Sequence, residues 1–253
     1  MNARETVVVC DLGHAAYRPT WELQRRVQSA LISAKRGTPP HRVPHVLLLV
    51  EHPPVYTLGK SGDAGHLLAS DELLRKRGAS FVEIDRGGDI TFHGPGQIVG
   101  YPILDLDRFF TDIHRYLRQL EESIIRTVGA FGLEGRRSEN RTGVWIGPDD
   151  TGNERKICAM GIRCSRWVTM HGFALNVNTD LSYFSHIVPC GISDRGVTSM
   201  REELGRDVDV STVKKRLVHD FSDLFDVDLH HLDGREAEAY LERLSRPRHT
   251  PAG

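Results

Sequence analysis

Two strand-like runs follow each other in this chain with only a short turn between them, and this spacing restricts the fold more than any other feature of the sequence. The runs extend from Lys156 to Arg163 and from Trp167 to Val177. The preceding segment 147–153, Gly-Pro-Asp-Asp-Thr-Gly-Asn, is rich in turn-forming residues and predicts a hairpin connection. Successive strands without a helix between them, in a chain that has helices elsewhere, favour an α+β fold over a doubly wound parallel sheet.

Helix start signals account for much of the remaining chain. Thr20, Thr111 and Ser211 each precede apolar residues at helical spacing, so each is predicted to cap a helix. Shorter helices are predicted from Ser70, from Ser199 and near Gly234. The other predicted strands are Val7–Val9, Val46–Val50, Phe81–Asp85, Ile90–Phe92 and Gly143–Ile146. These elements together predict a mixed, largely antiparallel sheet flanked by helices.

The length of the chain and the absence of a linker favour a single domain. The chain has 253 residues, which is near the upper limit for one hydrophobic core. We find no internal repeat and no stretch with the composition of a linker. We therefore predict that residues 1–245 form a single domain of the size of a catalytic domain. The Arg- and Pro-rich residues 246–253 are predicted to form a disordered tail.

Charge, cysteine content and hydropathy exclude several classes of protein. The formal net charge is −1, which argues against an extended surface for nucleic acid or for anionic membranes. Four cysteines without a C-x-x-C pair indicate neither a disulfide scaffold nor a metal site. The chain shows neither a signal-peptide core nor an apolar run of transmembrane length, so a cytoplasmic location is expected.

The segment 86–97 is the first of three that could carry chemistry. It reads Arg-Gly-Gly-Asp-Ile-Thr-Phe-His-Gly-Pro-Gly-Gln, and five of its residues are Gly or Pro. Such a backbone can approach a ligand closely and present its N–H groups. The alternative is a tight turn between two strands. The polar side chains of Arg86, Thr91, His93 and Gln97 favour a ligand site, because a simple turn does not need them.

The other two segments contain Lys156 and Cys190. A lysine at the start of an apolar strand is most often a charge that reaches solvent, whereas a buried lysine loses proton affinity and can act as a base. A free cysteine is most often a small buried hydrophobe, which is how we interpret Cys10, Cys158 and Cys164. Cys190 differs because Pro and Gly flank it in a break between elements, where a side chain can be presented at a surface.

Taken together, these segments resemble the octanoyltransferase family of lipoate biosynthesis. The resemblance covers roughly residues 45–200. It rests on R-G-G-D-I-T-F-H-G-P-G-Q at 86–97, T-G-V-W-I at 142–146, K-I-C-A-M-G at 156–161, H-G-F-A-L-N at 171–176 and P-C-G-I at 189–192. The resemblance implies a fold similar to the catalytic domain of biotin and lipoate protein ligases, in agreement with the α+β pattern.

The resemblance also implies a reaction and a set of site residues. Members of this family transfer an octanoyl group from octanoyl-acyl carrier protein to a lysine of lipoyl domains, in the E2 subunits of 2-oxoacid dehydrogenases and in the glycine cleavage H protein. The catalytic residues implied are Cys190, which carries the acyl group, and Lys156. The substrate-binding residues implied are Arg86, Gly87, Gly88, Asp89, Ile90, Thr91, Phe92, His93, Ala159, Met160, Gly161, Gly172, Phe173 and Ala174. No metal or cofactor is expected, and no nucleic acid or membrane is expected as a partner.

Three other functions compete with this one. An ATP-dependent lipoate or biotin ligase of the same fold would need a phosphate-binding loop but no cysteine. A non-catalytic module that binds carrier proteins or lipoyl domains would need neither Cys190 nor Lys156. A cysteine protease would need a His and Asn setting around Cys190, which the sequence does not show. Arg136, Arg137 and Arg141 are a candidate docking patch for acidic partners, and a solvated loop is the equally simple alternative.

Overall fold

The structure is a computed structural model, and it describes residues 4–139, 141–148, 153–188 and 196–245. Its strands are β1 Glu5–His14, β2 His45–Glu51, β3 Val55–Leu58, β4 Ser80–Glu83, β5 Ile90–His93, β6 Gln97–Ile103, β7 Gly135–Arg136, β8 Val144–Ile146, β9 Arg155–Ser165, β10 Val168–Asn176, β11 Gly196–Val197 and β12 Val227–Asp233. Its α-helices are α1 Tyr17–Arg36, α2 Asp71–Lys76, α3 Ile113–Gly129, α4 Met200–Leu204, α5 Val210–Phe225 and α6 Gly234–Ser245. None of the helices in these ranges combines the length and apolar character that a membrane crossing requires.

The strands form two sheets, a large one and a small one. Within the described residues the large sheet has nine strands, in the order β12-β1-β2-β6-β10-β9-β8-β7, with β11 beside β9. In it β1 pairs in parallel with β2 and β12, β11 pairs in parallel with β9, and the other pairs are antiparallel. The small sheet has the order β4-β3-β5. The prediction of a mixed, largely antiparallel α+β fold is confirmed.

Helices cover both faces of the large sheet because its central strands are apolar on both sides. On β2, Leu47 and Leu49 pack in one core with α3 and α5. The intervening Val46 and Leu48 pack in a second core with α1 and α6. This alternation follows the two-residue period of a strand. Because both faces of β2 are buried, its sequence is an uninterrupted run of hydrophobic residues.

The predicted helices are present, but three of them begin at other residues. Helix α1 begins before Thr20, whose hydroxyl donates to the Ala16 carbonyl oxygen at 2.8 Å from inside the first turn. Asp112 and Asp209 cap α3 and α5, because their carboxylates accept backbone N–H groups there. Ser70 and Ser199 cap α2 and α4 as predicted.

Strands β3, β6, β7, β11 and β12 were not predicted from the sequence. The clearest case is β6, which contains Gly100 and Pro102, two residues that weaken a strand pattern. The glycine is needed because a Cβ at position 100 would lie 2.1 Å from the Phe173 ring of the neighbouring strand β10. Tertiary packing therefore overrides local propensity at this position.

Candidate active site

A cavity lies beside the central strands of the large sheet. Its walls come from the loop before β5, from β5 itself, and from β6, β9 and β10. Its lining residues are Tyr17, Arg86, Gly88, Asp89, Ile90, Thr91, His93, Gln97, Val99, Tyr101, Lys156, Ala159, Met160, Gly161, His171, Gly172, Phe173, Ala174, Asn176, Phe184 and Val197. The three separate substrate-binding segments implied by the sequence therefore meet around one space.

Two of the implied substrate-binding residues do not line this cavity. Gly87 holds the loop against the large sheet, because its N–H donates to the Ile162 carbonyl oxygen at 3.0 Å. Phe92 points into the core of the small sheet, where its ring stacks on that of Tyr183 at 4.5 Å between centroids. Gly87 and Phe92 therefore lie behind the residues that line the cavity. The remaining twelve members of the predicted set line the cavity.

Arg86 is a fixed part of the wall. The residue is 9% exposed, and its Nη2 atom donates to the carbonyl oxygen of Thr57 at 2.8 Å and to the Thr57 hydroxyl at 3.1 Å. Its Nη1 atom donates to the Gly87 carbonyl oxygen at 3.0 Å. A buried guanidinium held by oxygen atoms on two sides presents a fixed positive charge near the cavity.

A chain of hydrogen bonds fixes the polar residues at the turn between β5 and β6. His93 Nδ1 lies 2.8 Å from Gln97 Oε1, and Gln97 Nε2 donates to Asn176 Oδ1 at 2.8 Å. Asn176 Nδ2 in turn donates to the Thr198 carbonyl oxygen at 2.9 Å, just after β11. Burial lowers the pKa of His93 to about 3, so the ring is neutral at physiological pH.

The cavity also contains aromatic and histidine side chains that the sequence analysis did not select. The Tyr17 ring stacks on His93, with the centroids 5.5 Å apart. The Tyr101 hydroxyl lies 2.8 Å from Nε2 of His52, whose pKa burial lowers to about 4. Burial also raises the pKa of Tyr17 and of Tyr101. These tyrosine and histidine side chains are therefore uncharged at neutral pH. Tyr101 follows the 86–97 segment closely, whereas no sequence signal indicated Tyr17.

Lys156 lines the cavity from near the start of β9. Its side chain is half-buried, and its Nζ atom is 4.6 Å from the centroid of the Trp145 ring. Beyond the end of β10, the short strand β11 pairs with β9 so that Val197 lies opposite Lys156. Lys156 therefore lines the cavity, as it must if it acts as a base there.

Cys190 lies outside the described residues, as do its neighbours from 189 to 195. The described chain on either side is held near the cavity. Before the segment, the Val188 N–H donates to the His66 carbonyl oxygen at 2.9 Å. After it, β11 pairs with β9 at Lys156.

The three described cysteines are poor nucleophiles. Cys10 and Cys158 have no exposed surface, and Cys164 is half-buried. Burial raises the pKa of Cys10 to about 12 and also raises the pKa values of Cys158 and Cys164. All three remain thiols at neutral pH, whereas the thiolate is the reactive form. The structure thus agrees with the interpretation of Cys10 and Cys158 as buried hydrophobes.

Two of the three arginines proposed as a docking patch form ion pairs within the protein. Arg137 bonds to the fully buried carboxylate of Glu121 at 3.1 Å and to Glu122 at 2.8 Å. Arg136 pairs with Glu134 at 3.0 Å. Glu121 also accepts the Gly143 N–H at 3.0 Å, so Arg137 helps to hold the start of β8. Arg136 and Arg137 therefore have carboxylate partners within the protein, and docking of acidic partners at this patch stays a prediction.

Close packing at Gly172 predicts a large effect of adding one methyl group. A Cβ at position 172 would lie 2.2 Å from the Gly100 carbonyl oxygen, which is backbone and cannot rotate away. We expect Gly172→Ala to destabilise the protein by about 3 kcal/mol in urea denaturation. Gly129→Ala is the matched control, since a Cβ there meets no atom within 4 Å, and its stability should stay within about 1 kcal/mol of wild type. Equal stability of the two variants would contradict the packing seen here.

Comparison with known proteins finds relatives that cover most of the chain. The model of the lipoyl protein ligase A/B catalytic domain matches residues 16–222. An octanoyltransferase of Flavobacterium psychrophilum is 54% identical over 227 residues, covering 88% of this chain and 97% of the relative. An octanoyltransferase of Rubrobacter xylanophilus is 50% identical over 214 residues, covering 84% and 90%.

Solved structures show the same fold at much lower identity. The bipartite lipoate protein ligase of an archaeal lipoylation system, from Thermoplasma acidophilum, superposes with a TM-score of 0.70 at 19% identity, covering 96% of this chain and 92% of that one. A lipoate-protein ligase A bound with ATP gives 0.67 at 16% identity, covering 96% and 94%. With the fold, the motifs and the close relatives in agreement, the chain belongs to the lipoyl protein ligase A/B catalytic-domain family, among its octanoyltransferases, and is an acyltransferase.

Proposed function

We propose that the enzyme takes an octanoyl group from octanoyl-acyl carrier protein onto Cys190 and passes it to a lysine of a lipoyl domain. The observation that carries this proposal is the position of Lys156 in the wall of a partly apolar cavity. The apolar part of such a cavity suits an acyl chain, and a lysine in its wall suits thiol activation. The burial of Cys10 and Cys158 leaves Cys190 as the best candidate nucleophile.

The first half-reaction exchanges one thioester for another. The Cys190 thiolate attacks the donor thioester carbonyl, a new C–S bond forms, and the carrier thiolate leaves. A lysine ammonium near the thiol stabilises its thiolate and lowers the thiol pKa. Because the two thioesters have similar energies, no nucleotide is needed to keep the acyl group activated.

The second half-reaction forms the amide. The acceptor lysine must be neutral to attack, and the attacking nitrogen loses one proton as the C–N bond forms and the Cys190 thiolate leaves. Once Cys190 is acylated, its negative charge is gone, and desolvation then favours the neutral form of Lys156. We assign to Lys156 the role of the base that accepts this proton and returns it to the Cys190 sulfur.

The acceptors that we propose are the lipoyl domains of 2-oxoacid dehydrogenase E2 subunits and the glycine cleavage H protein. An E2 lipoyl domain belongs to the archaeal lipoylation system whose ligase shares this fold. We also propose that residues 1–245 act as one catalytic domain. A cytoplasmic location is consistent with the buried free thiols of Cys10 and Cys158.

Dependence on nucleotide separates this function from that of an ATP-dependent ligase. Purified enzyme, octanoyl-carrier protein and lipoyl domain should give octanoylated lipoyl domain in the presence of EDTA and without ATP. The product is followed by the intact mass of the lipoyl domain, and free octanoate replaces the carrier-bound donor in the control. Product from free octanoate with ATP and magnesium, but none from the carrier-bound donor, would identify a ligase instead.

A further inference from the structure

The ring of Trp145 lies against the side chain of Lys156. The two residues pair directly across strands β8 and β9, and a register shift between Val144 and Trp145 sets this pairing. Residues that pair directly in antiparallel strands project from the same face of the sheet. The Lys156 Nζ atom lies over the ring, 4.6 Å from its centroid. This distance is within the range of a cation–π interaction, for which tryptophan is the strongest aromatic partner.

The Trp145 ring is buried and belongs to a strand that is held in place. The residue is 2% exposed. At the start of β8, the buried carboxylate of Glu121 accepts the Gly143 N–H at 3.0 Å. Gly143 has a φ of 113°, and a Cβ there would lie 2.5 Å from the Cys158 carbonyl oxygen, so β8 packs directly on β9 at this point. A buried ring next to a cation interacts more strongly than an exposed one, because less water competes with it.

Several titratable or charged groups surround the lysine and the ring. In the described part of the chain they are Glu121 of α3, Arg155 and Cys158 of β9, Glu203 of α4, Arg141 before β8, and Arg86 and Asp89 in the same cavity wall. Glu121 and Glu203 form ion pairs with arginines, at 2.8 Å and 2.9 Å. The Arg141 guanidinium carbon lies 5.9 Å from the ring centroid, near the limit of a cation–π interaction. These two carboxylates therefore neutralise arginines, whereas the Trp145 ring faces Nζ directly.

We propose that Trp145 is a positioning residue, which holds Lys156 by its ammonium group and favours the protonated lysine in both half-reactions. This inference rests on the proposed function. In the first half-reaction the ammonium stabilises the Cys190 thiolate. In the second, Lys156 becomes an ammonium when it accepts the proton of the attacking nitrogen. The ring thus favours the form of the lysine that each step requires or produces.

The ring also balances the effect of burial on the lysine. Desolvation lowers the pKa of a lysine, whereas an aromatic face that binds the ammonium raises it. A base is most effective when its pKa lies near the working pH, because it must be neutral before the step and must bind the proton during it. Trp145 keeps Lys156 basic enough to take the proton in a cavity that would otherwise make it a weaker base.

The first test follows Lys156 directly by NMR, without any substrate. The chain has six lysines, so ¹³C labelling at the ε-carbon gives one signal for each, and Lys156→Arg identifies the one of interest. The titration is done in a Cys190→Ala background, in which no thiolate contributes. We expect the midpoint of Lys156 to fall by about one pH unit in Trp145→Leu. The Lys156 ε-protons should also lose the upfield shift that an aromatic face causes.

The second readout is the pH dependence of acyl-enzyme discharge. Enzyme acylated in advance is mixed with lipoyl domain between pH 6 and 9, and loss of the adduct is followed by intact mass. Because discharge needs a neutral Lys156, its midpoint should move to lower pH in Trp145→Leu by the same amount as the NMR midpoint. The plateau rate should fall, because a weaker base accepts the proton less readily. A purely structural role would lower the rate at every pH and leave the midpoint unchanged.

Trp167→Leu is the matched control. Trp167 lies in the turn between β9 and β10, is 39% exposed and does not line the cavity. Both midpoints should therefore equal those of wild type in this variant. If Trp145→Leu does not fold, Trp145→Phe provides the test, since its weaker aromatic face should give a smaller shift in the same direction.

The outcomes separate this inference from the proposed function. An unchanged or higher Lys156 midpoint in the Trp145 variants would overturn the inference, even if their activity is low. A fall of the same size in Trp167→Leu would overturn it as well. If the midpoint falls as expected but wild-type enzyme transfers no acyl group from a carrier-bound donor, the effect of the ring on the lysine stands and the proposed function fails.

Discussion

Cys190→Ala is expected to lower octanoyl transfer by at least about 10³-fold, because the acyl group then has no nucleophile to carry it. Transfer is measured as the intact mass of a lipoyl domain incubated with octanoyl-carrier protein. Cys190→Ser should be nearly as inactive, since a serine hydroxyl stays protonated where a cysteine thiol ionises.

Cys164→Ala is the control for this prediction. Cys164 is half-buried, and its thiol pKa is raised by burial. Its removal should leave transfer within about twofold of wild type, because surface and half-buried substitutions away from a site have small effects. Near-normal transfer by Cys190→Ala together with loss of transfer in Cys164→Ala would show that the nucleophile had been assigned to the wrong residue.

Lys156→Met is expected to impair both half-reactions, and the two effects can be separated by pH. If the ammonium lowers the thiol pKa, acylation of Cys190 should be slow at neutral pH in the variant. It should recover when the pH approaches ~9, where an unassisted thiol with a pKa near ~8.5 is largely ionised. Acylation is measured as the rate of adduct formation by intact mass between pH 6 and 9.

The second half-reaction tests the role of Lys156 as a base. An acceptor lysine has a pKa near ~10.4, so few molecules are neutral at pH 7 without help, and general-base catalysis typically contributes about 10²-fold or more. Enzyme that has been acylated in advance is mixed with lipoyl domain, and loss of the adduct is followed. If the Lys156→Met acyl-enzyme discharges as fast as wild type, Lys156 only activates the thiol, and its assignment as the base is wrong.

Much of the fold followed from the sequence because local signals and tertiary packing agree there. Ser70 and Ser199 start helices where their side chains can cap them, and the closely spaced strands β9 and β10 form an antiparallel pair. The exceptions are positions where packing against residues distant in sequence, and not the local sequence, determines the structure. Strand β6 contains Gly100 because Phe173 occupies the space of a side chain, and the sequence pattern alone gives no indication of this.

The candidate site could be predicted to the extent that its residues lie in motifs. Lys156 and most of segment 86–93 line the cavity, as the resemblance implied. Tyr17 comes from α1, far from those motifs in sequence, and only the tertiary fold brings it to the cavity. The ion pair of Arg137 with the buried Glu121 was not predicted from the sequence.

The acyl-enzyme is the central claim, and intact mass spectrometry of the wild-type protein tests it most directly. After incubation with octanoyl-carrier protein, without nucleotide and without acceptor, the protein should gain the mass of one octanoyl group. Peptide mapping should place the group on Cys190, neutral hydroxylamine should remove it as expected for a thioester, and added lipoyl domain should discharge it. Transfer to the lipoyl domain without any covalent intermediate, or an octanoyl group that maps to another residue, would contradict the mechanism.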